Sequence, residues 1–260
     1  MDKARLFPAV LIVAMVALAV MPEMAHSAYT VTAINTTVML NANNSAEVIE
    51  MLNVSVSGAS IAQYSADRVA LGLSLSDWQS LIGPSLVQHI INPQTGVSNF
   101  KFLPGPFIGT GTQSGRSEII MSYTVENVTH VSETAPRRFL YSFNSKVFNF
   151  EHGVSGEILP QNTTLNIVLP SRAQVTAIYP IPDSPTYGFA RDYQNVSEFS
   201  WFRGEPLSKF TLNFVVTEGL EAEVFGFFSA VYARLGILTY VIIAVAIISF
   251  IIYAYYRASR

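Results

Sequence analysis

Apolar and polar residues alternate along much of the middle of the chain, which is the period of a β-strand with one buried face. Two such segments, 29–40 and 46–56, flank the Asn-rich turn 41–45 and predict a long antiparallel hairpin. Residues 117–125 alternate in the same way. Further strands are predicted at 69–75, 99–103, 139–150, 156–159, 164–169, 174–179, 198–202 and 207–217.

Turns and prolines separate these strands, with little helix between them. Proline follows Leu or Ile at several predicted strand ends, as expected because proline cannot donate a hydrogen bond to a sheet. This organisation predicts a mainly β fold, with one or two antiparallel β-sandwich domains outside a membrane. We favour two sandwich-like domains in series, at 28–136 and 137–217, divided at the polar stretch 127–136.

One short helix is predicted near residue 76. Ser76 and Gln79 have the spacing of a capping box, in which each residue satisfies a free backbone N–H of the first turn. Gly83 and Pro84 then interrupt the helix before a second helical piece at 85–91.

The period changes near the C-terminal end of the sequence, where apolar residues recur at intervals of three and four. Residues 218–234 therefore predict a juxtamembrane amphipathic helix. The next 22 residues, 235–256, contain no charge. As a helix they are roughly 33 Å long, enough to cross a hydrocarbon core of about 30 Å. Arg257 and Arg260 follow, and the positive-inside rule places the tail 257–260 in the cytoplasm.

The first residues have the pattern of an export signal. Lys3 and Arg5 precede an apolar run at 6–21, and small residues follow it. We expect a signal peptide at 1–27, cleaved after Ser27 or Ala28, and an uncleaved signal anchor is the alternative. With the transmembrane helix, this predicts a single-pass type I protein of the cell membrane, with most of the chain extracellular.

Composition narrows the possible partners and chemistry. The chain has no cysteine, which excludes disulfides, thiolate zinc sites and cysteine nucleophiles. Its formal net charge of −3 argues against nucleic acid as a partner. Six Asn-x-Ser/Thr sequons predict a glycosylated surface, and together with the absence of cysteine they are typical of an archaeal cell surface. The predicted glycosylation sites are Asn35, Asn43, Asn53, Asn127, Asn162 and Asn195.

No motif in the sequence predicts catalysis. His89, His130 and His152 are far apart and form no metal-ligand pattern. The glycine-rich stretch 105–115 lacks the Lys-Ser/Thr ending of a phosphate loop, and around Ser114 it also lacks the spacing of a nucleophile elbow. We therefore predict no catalytic residue, no metal site and no cofactor.

The segment from Tyr179 to Trp201 is rich in aromatic residues and has arginines nearby. Tyr, Trp and Arg carry much of the binding energy at protein interfaces, and aromatic rings also line carbohydrate sites. A third interpretation is that these rings cap the core. The residues predicted to form a binding surface are Tyr179, Tyr187, Phe189, Arg191, Tyr193, Trp201 and Arg203.

These patterns lead to a prediction of a non-enzymatic structural or accessory subunit, which would dock on another membrane or envelope protein. The alternative is a module at the cell surface that binds carbohydrate or another extracellular ligand through the same residues. An envelope hydrolase whose site has no recognisable motif is a third possibility.

Overall fold

The computed structural model describes residues 29–58, 60–70, 74–111, 114–154, 156–187, 189–202, 204–217, 219, 229–236 and 238–258. Nine side chains of the last helix are not described. The predicted signal peptide, most of the predicted amphipathic helix and Arg203 lie outside the described residues.

The described chain is mainly β, as predicted, and contains four α-helices and two 3₁₀ helices, Ser145–Val147 and Ala190–Tyr193. The strands are β1 Thr30–Leu40, β2 Ala46–Ser57, β3 Val97–Pro104, β4 Ile108–Gly109, β5 Ser114–Val125, β6 Thr129–Ala135, β7 Arg138–Phe143, β8 Glu151–Gly153, β9 Gly156–Ile158, β10 Thr163–Val168, β11 Ala173–Tyr179, β12 Glu198–Phe202 and β13 Thr211–Thr217. The helices are α1 Ser60–Val69, α2 Leu75–Ile82, α3 at 229–235 and α4 Leu238–Ala258.

Two sheets account for most of the strands. The larger sheet has seven strands in the order β12-β10-β1-β2-β5-β3, with β4 also paired to β5. The smaller has four in the order β11-β13-β7-β6, and β8 and β9 form a separate hairpin. The predicted hairpin of β1 and β2 is confirmed. The larger sheet is not wholly antiparallel as expected, because β1 pairs with β10 in parallel.

One face of the larger sheet is buried. The smaller sheet packs on one part of this face, and α1 and α2 pack on another part. Toward one end of the long strands β2 and β5, the smaller sheet packs on this face in a sandwich-like arrangement, around a core that includes Trp201 and Phe214. Toward the other end, α1 and α2 cover the same face through Tyr64 and Trp78. The hydroxyl of Tyr29 donates to Asp67 at 2.7 Å and so ties α1 to the start of β1.

Strands on both sides of the predicted domain boundary near residue 136 belong to the same sheets. β1 from the first segment pairs with β10 from the second, and β6 pairs with β7 across residue 136. The core beneath the smaller sheet contains residues from both segments, including Val48 and Trp201. The packing therefore does not divide the chain at this position.

Several local predictions were wrong. The strand expected at 69–75 is not present, since Val69 ends α1 and Leu75 begins α2, while 71–73 lie outside the described residues. Residues 85–91 form turns and a bridge at Ile90 in place of a second helical piece. No strand was predicted within the polar stretch 127–136, which contains β6, an edge strand that is exposed along nearly its whole length.

A turn separates the last two helices. Gly236 has φ = +56°, a conformation in which glycine carries no steric penalty, and α3 ends there. The described residues of α3 and α4 therefore do not form one continuous helix. Over the part of the chain that the structure describes, no helix has both the length and the apolar character needed to cross a membrane.

Candidate functional site

The aromatic segment joins the two sheets along one side of the molecule. It leaves β11, an edge strand of the smaller sheet, and enters β12, an edge strand of the larger sheet. Backbone hydrogen bonds of 3.2 and 2.8 Å between Ser184 and Ser200 hold the loop against β12. We call residues 179–202 the aromatic clasp.

The inner rings of the aromatic clasp belong to the core. Phe199 and Trp201 lie on the buried face of β12, and Tyr193 packs against Phe199 with ring centroids 5.7 Å apart. The indole N–H of Trp201 donates to the carbonyl of Pro180 at 3.0 Å. Trp201 is 0% exposed and Tyr193 is 1% exposed, so these two predicted surface residues cannot contact a partner in this conformation.

The outer side chains of the clasp are exposed. Phe189 is 64% exposed, and the guanidinium of Arg191 lies 5.1 Å from the centre of its ring in a cation–π contact. Tyr179, Ile181 and Tyr187 are exposed as well. We call these five residues the clasp surface.

Hydrogen bonds fix the backbone that carries the clasp surface. The hydroxyl of Tyr193 accepts from the backbone N–H of Tyr187 at 2.7 Å and donates to its carbonyl at 2.9 Å. A carboxylate oxygen of Asp183 accepts from the N–H of Phe202 at 2.7 Å. These bonds hold the backbone of Tyr187 and the end of β12 in place before any partner binds, which lowers the conformational entropy cost of binding.

A second feature, which sequence reasoning missed, is a polar cluster in the interior. Glu50 lies on the buried face of β2, between the part covered by the smaller sheet and the part covered by α1 and α2, and is 0% exposed. One carboxylate oxygen accepts from the backbone N–H of His89 at 2.8 Å and from the hydroxyl of Tyr123, and the other pairs with Nδ1 of His89. Burial, together with the charge of Glu50 and the hydrogen bond to it, raises the pKa of the Tyr123 hydroxyl. The sequence contained one sign of this cluster: Glu50 occupies a position of β2 where the alternation otherwise places an apolar residue.

His89 also lines a cleft of about 300 Å³. Its ring stacks on Phe150, with centroids 5.0 Å apart and planes 23° from parallel. The lining of the cleft combines polar and apolar residues. The polar lining is Ser85, Asn149, Glu151 and Asn162, and the apolar lining is Ile34, Pro84, Val87, Phe150 and Pro160.

The six sequon asparagines lie on the outer face of the larger sheet or in turns. Asn35 and Asn53 project from the outer face through β1 and β2, where Asn53 is half-buried. The other four occupy exposed loop positions. Glycosylation at these sites stays a prediction.

The structure does not bring the remaining candidate residues together. Over the described residues, no group of three or more His, Asp and Glu side chains is arranged to hold a metal ion. His130 and His152 are exposed on β6 and β8.

Comparison with known proteins adds no family to this description. The chain matches no protein-family model, and no curated protein is significantly similar to it.

Proposed function

We propose that this chain is a non-enzymatic accessory subunit, anchored in a membrane, whose β domain lies outside the membrane and docks on another membrane or envelope protein. The observation that carries the proposal is the clasp surface, in which exposed Tyr and Phe rings and an Arg stand on a loop fixed by hydrogen bonds. Residues of these types dominate the energetics of protein interfaces.

The chemistry of the clasp surface specifies the kind of partner. Phe189 and Tyr187 need an apolar pocket in order to bury their rings. The side chain of Arg191 is 76% exposed, and its contact with the carboxylate of Asp192 is long, at 3.7 Å, so its charge remains available to an acidic group. We expect a protein surface with an apolar pocket and a carboxylate at its rim.

The sequence supports the proposed anchor. Residues 235–256 contain no charged residue, and Arg257 and Arg260 follow them. The six sequons in the segment before the anchor support its placement outside the cell.

Purification of the full-length protein from its native membrane in mild detergent tests this function. We expect the wild type to be recovered with a partner protein and the double variant Tyr187→Ala/Phe189→Ala to lose it. Loss of an interface hot spot of about 2 kcal/mol weakens binding by roughly 30-fold.

Leu103→Ala is the matched control, because Leu103 is similarly exposed but lies on β3 at the opposite edge of the larger sheet. Recovery of the wild type as a lone monomer, or equal partner recovery with the double variant, would contradict the proposal.

Carbohydrate binding at the clasp surface is the second candidate, favoured by the stacked Phe189 and Arg191. Trp201→Ala is unsuitable as a test, because removing a fully buried Trp costs about 3–5 kcal/mol of stability whatever the ligand. The Tyr187→Ala/Phe189→Ala variant removes exposed rings instead. Glycan-array binding by the wild type that this variant loses, with no partner protein in the detergent preparation, would favour the second candidate.

A further inference from the structure

The cleft beside His89 holds its histidine in a fixed position. The backbone of His89 is held on both sides, since its N–H donates to Glu50 at 2.8 Å and its carbonyl accepts from Asn149 at 2.8 Å. The side chain of Asn149 donates to the carbonyl of Gln88 at 3.0 Å, and the ring of His89 is stacked on Phe150. Such support fixes a side chain in one orientation, as a binding site requires.

The two ring nitrogens of His89 differ in their contacts. Nδ1 pairs with Glu50, while Nε2 makes no hydrogen bond to any residue that the structure describes. Because the ring lines the cleft, Nε2 is the histidine nitrogen left to meet a bound molecule. Binding sites typically combine an apolar wall with a few fixed polar groups of this kind.

The charges around the cleft restrict the ligand. Glu50 lies behind the ring and Glu151 lies at the rim, so an anionic ligand is disfavoured. Nε2 donates a hydrogen bond when the ring is charged and accepts one when it is neutral with the proton on Nδ1. A hydroxyl group can donate and accept, and therefore satisfies either state.

From these observations we propose that the cleft binds the ring of a neutral sugar, with one hydroxyl on Nε2 of His89. Ser85, Asn149 and Asn162 supply further hydrogen-bonding groups, and Ile34 and Pro160 supply apolar surface. The proposal uses a site on a different part of the molecule from the clasp surface and does not depend on the docking function.

The sugar can come from two sources. Asn162 is a predicted glycosylation site, is exposed in the turn before β10 and also lines the cleft. A glycan on its side chain would therefore start at the rim of the cleft. The other source is a saccharide that the cell surface or the medium supplies.

Nitrogen NMR of the protein in detergent, labelled with ¹⁵N only at histidine, tests the proposal. Single variants His130→Gln and His152→Gln assign the signals by elimination, and exposed His130 serves as the internal reference, because His152 is next to Glu151 of the cleft. In the first arm, unglycosylated protein is titrated with N-acetylglucosamine and with galactose. In the second arm, wild type from a glycosylating host is compared with Asn162→Gln from the same host.

We expect a shift of the Nε2 signal of His89 that leaves the signal of His130 in place. A saturable shift in the first arm supports an external saccharide, and a shift between wild type and Asn162→Gln supports the chain's own glycan. No shift of His89 in either arm overturns the proposal. An equal shift of the His130 signal overturns it as well, because it indicates a nonspecific effect of the sugar.

Discussion

At the scale of single residues, the central feature is a carboxylate in the interior. Glu50 occupies a strand position between Val48 and Leu52 that is otherwise apolar, and the neighbouring buried position on β1 is Thr36. A charge in such a place is costly unless hydrogen-bonded partners surround it, and here His89 and Tyr123 supply them. The three residues lie in three segments distant in sequence, so no local pattern could predict their contact.

Glu50→Ala is expected to destabilise the protein by about 3–5 kcal/mol, because it leaves the buried imidazole and hydroxyl without their common partner. Glu47→Ala is the control, since Glu47 lies on the exposed face of the same strand. Urea denaturation of both variants measures the difference. A change below about 1 kcal/mol in Glu50→Ala would mean that the cluster is not a stabilising unit.

The aromatic clasp shows what residue patterns can and cannot provide. The sequence shows that residues 179–201 are rich in aromatic side chains, but it does not show which of these side chains are exposed. Alternation within β12 places Phe199 and Trp201 on one face, but sequence alone does not say which face is buried. In the loop before β12 no period exists, so only the structure separates exposed Phe189 from buried Tyr193.

At the scale of elements, α2 illustrates how local signals fix a boundary. A capping box was predicted at Ser76, but the cap is Ser74, with Asp77 at the third position of the helix. The hydroxyl of Ser74 accepts from the N–H of Asp77 at 3.3 Å, and the carboxylate of Asp77 accepts from the N–H of Ser74 at 2.7 Å. The helix ends before Gly83, as predicted, and Gly83 is its C-terminal cap.

Ser74→Ala is expected to lower the stability of the protein by about 1 kcal/mol, because a free N–H of the first turn loses its acceptor. Ser80→Ala on the same helix is the control, since its hydroxyl bonds only to a carbonyl that the helix already uses. Thermal denaturation at one pH compares the two. Equal melting temperatures for the two variants would argue against the cap.

The same cap predicts that the stability of the folded protein depends on pH in the acidic range. Hydrogen bonds from the backbone and side chain of Ser74 lower the pKa of Asp77 in the folded state. The stabilisation is therefore fully present above the ordinary Asp pKa of about 4 and is lost as pH falls through the lowered value. Asp77→Asn should flatten this part of the stability profile, measured by urea denaturation at a series of acidic pH values. An unchanged profile would contradict the prediction.

Strand β6 shows why one element escaped prediction. Its sequence is polar and nearly all of its side chains are exposed, so it carries no alternation. It is a strand because its backbone pairs with β7, from Thr129 opposite Phe143 onward. Backbone pairing of an exposed edge strand leaves no hydrophobic pattern in the sequence.

At the scale of the whole molecule, composition and alternation predicted the mainly β class but not the connection between the two halves. β1 and β10 pair in parallel through their backbones. The alternation of side chains shows which face of a strand is buried, but it does not show which other strand pairs with its edge. The two segments separated at residue 136 share one core as a result.

A fragment of residues 29–136 is therefore expected not to fold alone. It would leave Val38, Val48 and Val125 without the smaller sheet that covers them, and β6 without β7. Circular dichroism and amide hydrogen exchange of the fragment and of the full-length protein test this. Cooperative melting of the fragment near the melting temperature of the intact protein would show that the first segment is an independent domain.

The parallel pair also determines when the protein can fold. Asn35 on β1 and Asn166 on β10 share a hydrogen bond although they lie 131 positions apart. A ribosome adding about 5–20 residues per second completes β10 roughly 7–26 s after β1. During this interval the edge of β1 is an open template for other chains. The yield of folded protein should thus depend less on its final stability than on how long a chaperone shields the unfinished chain.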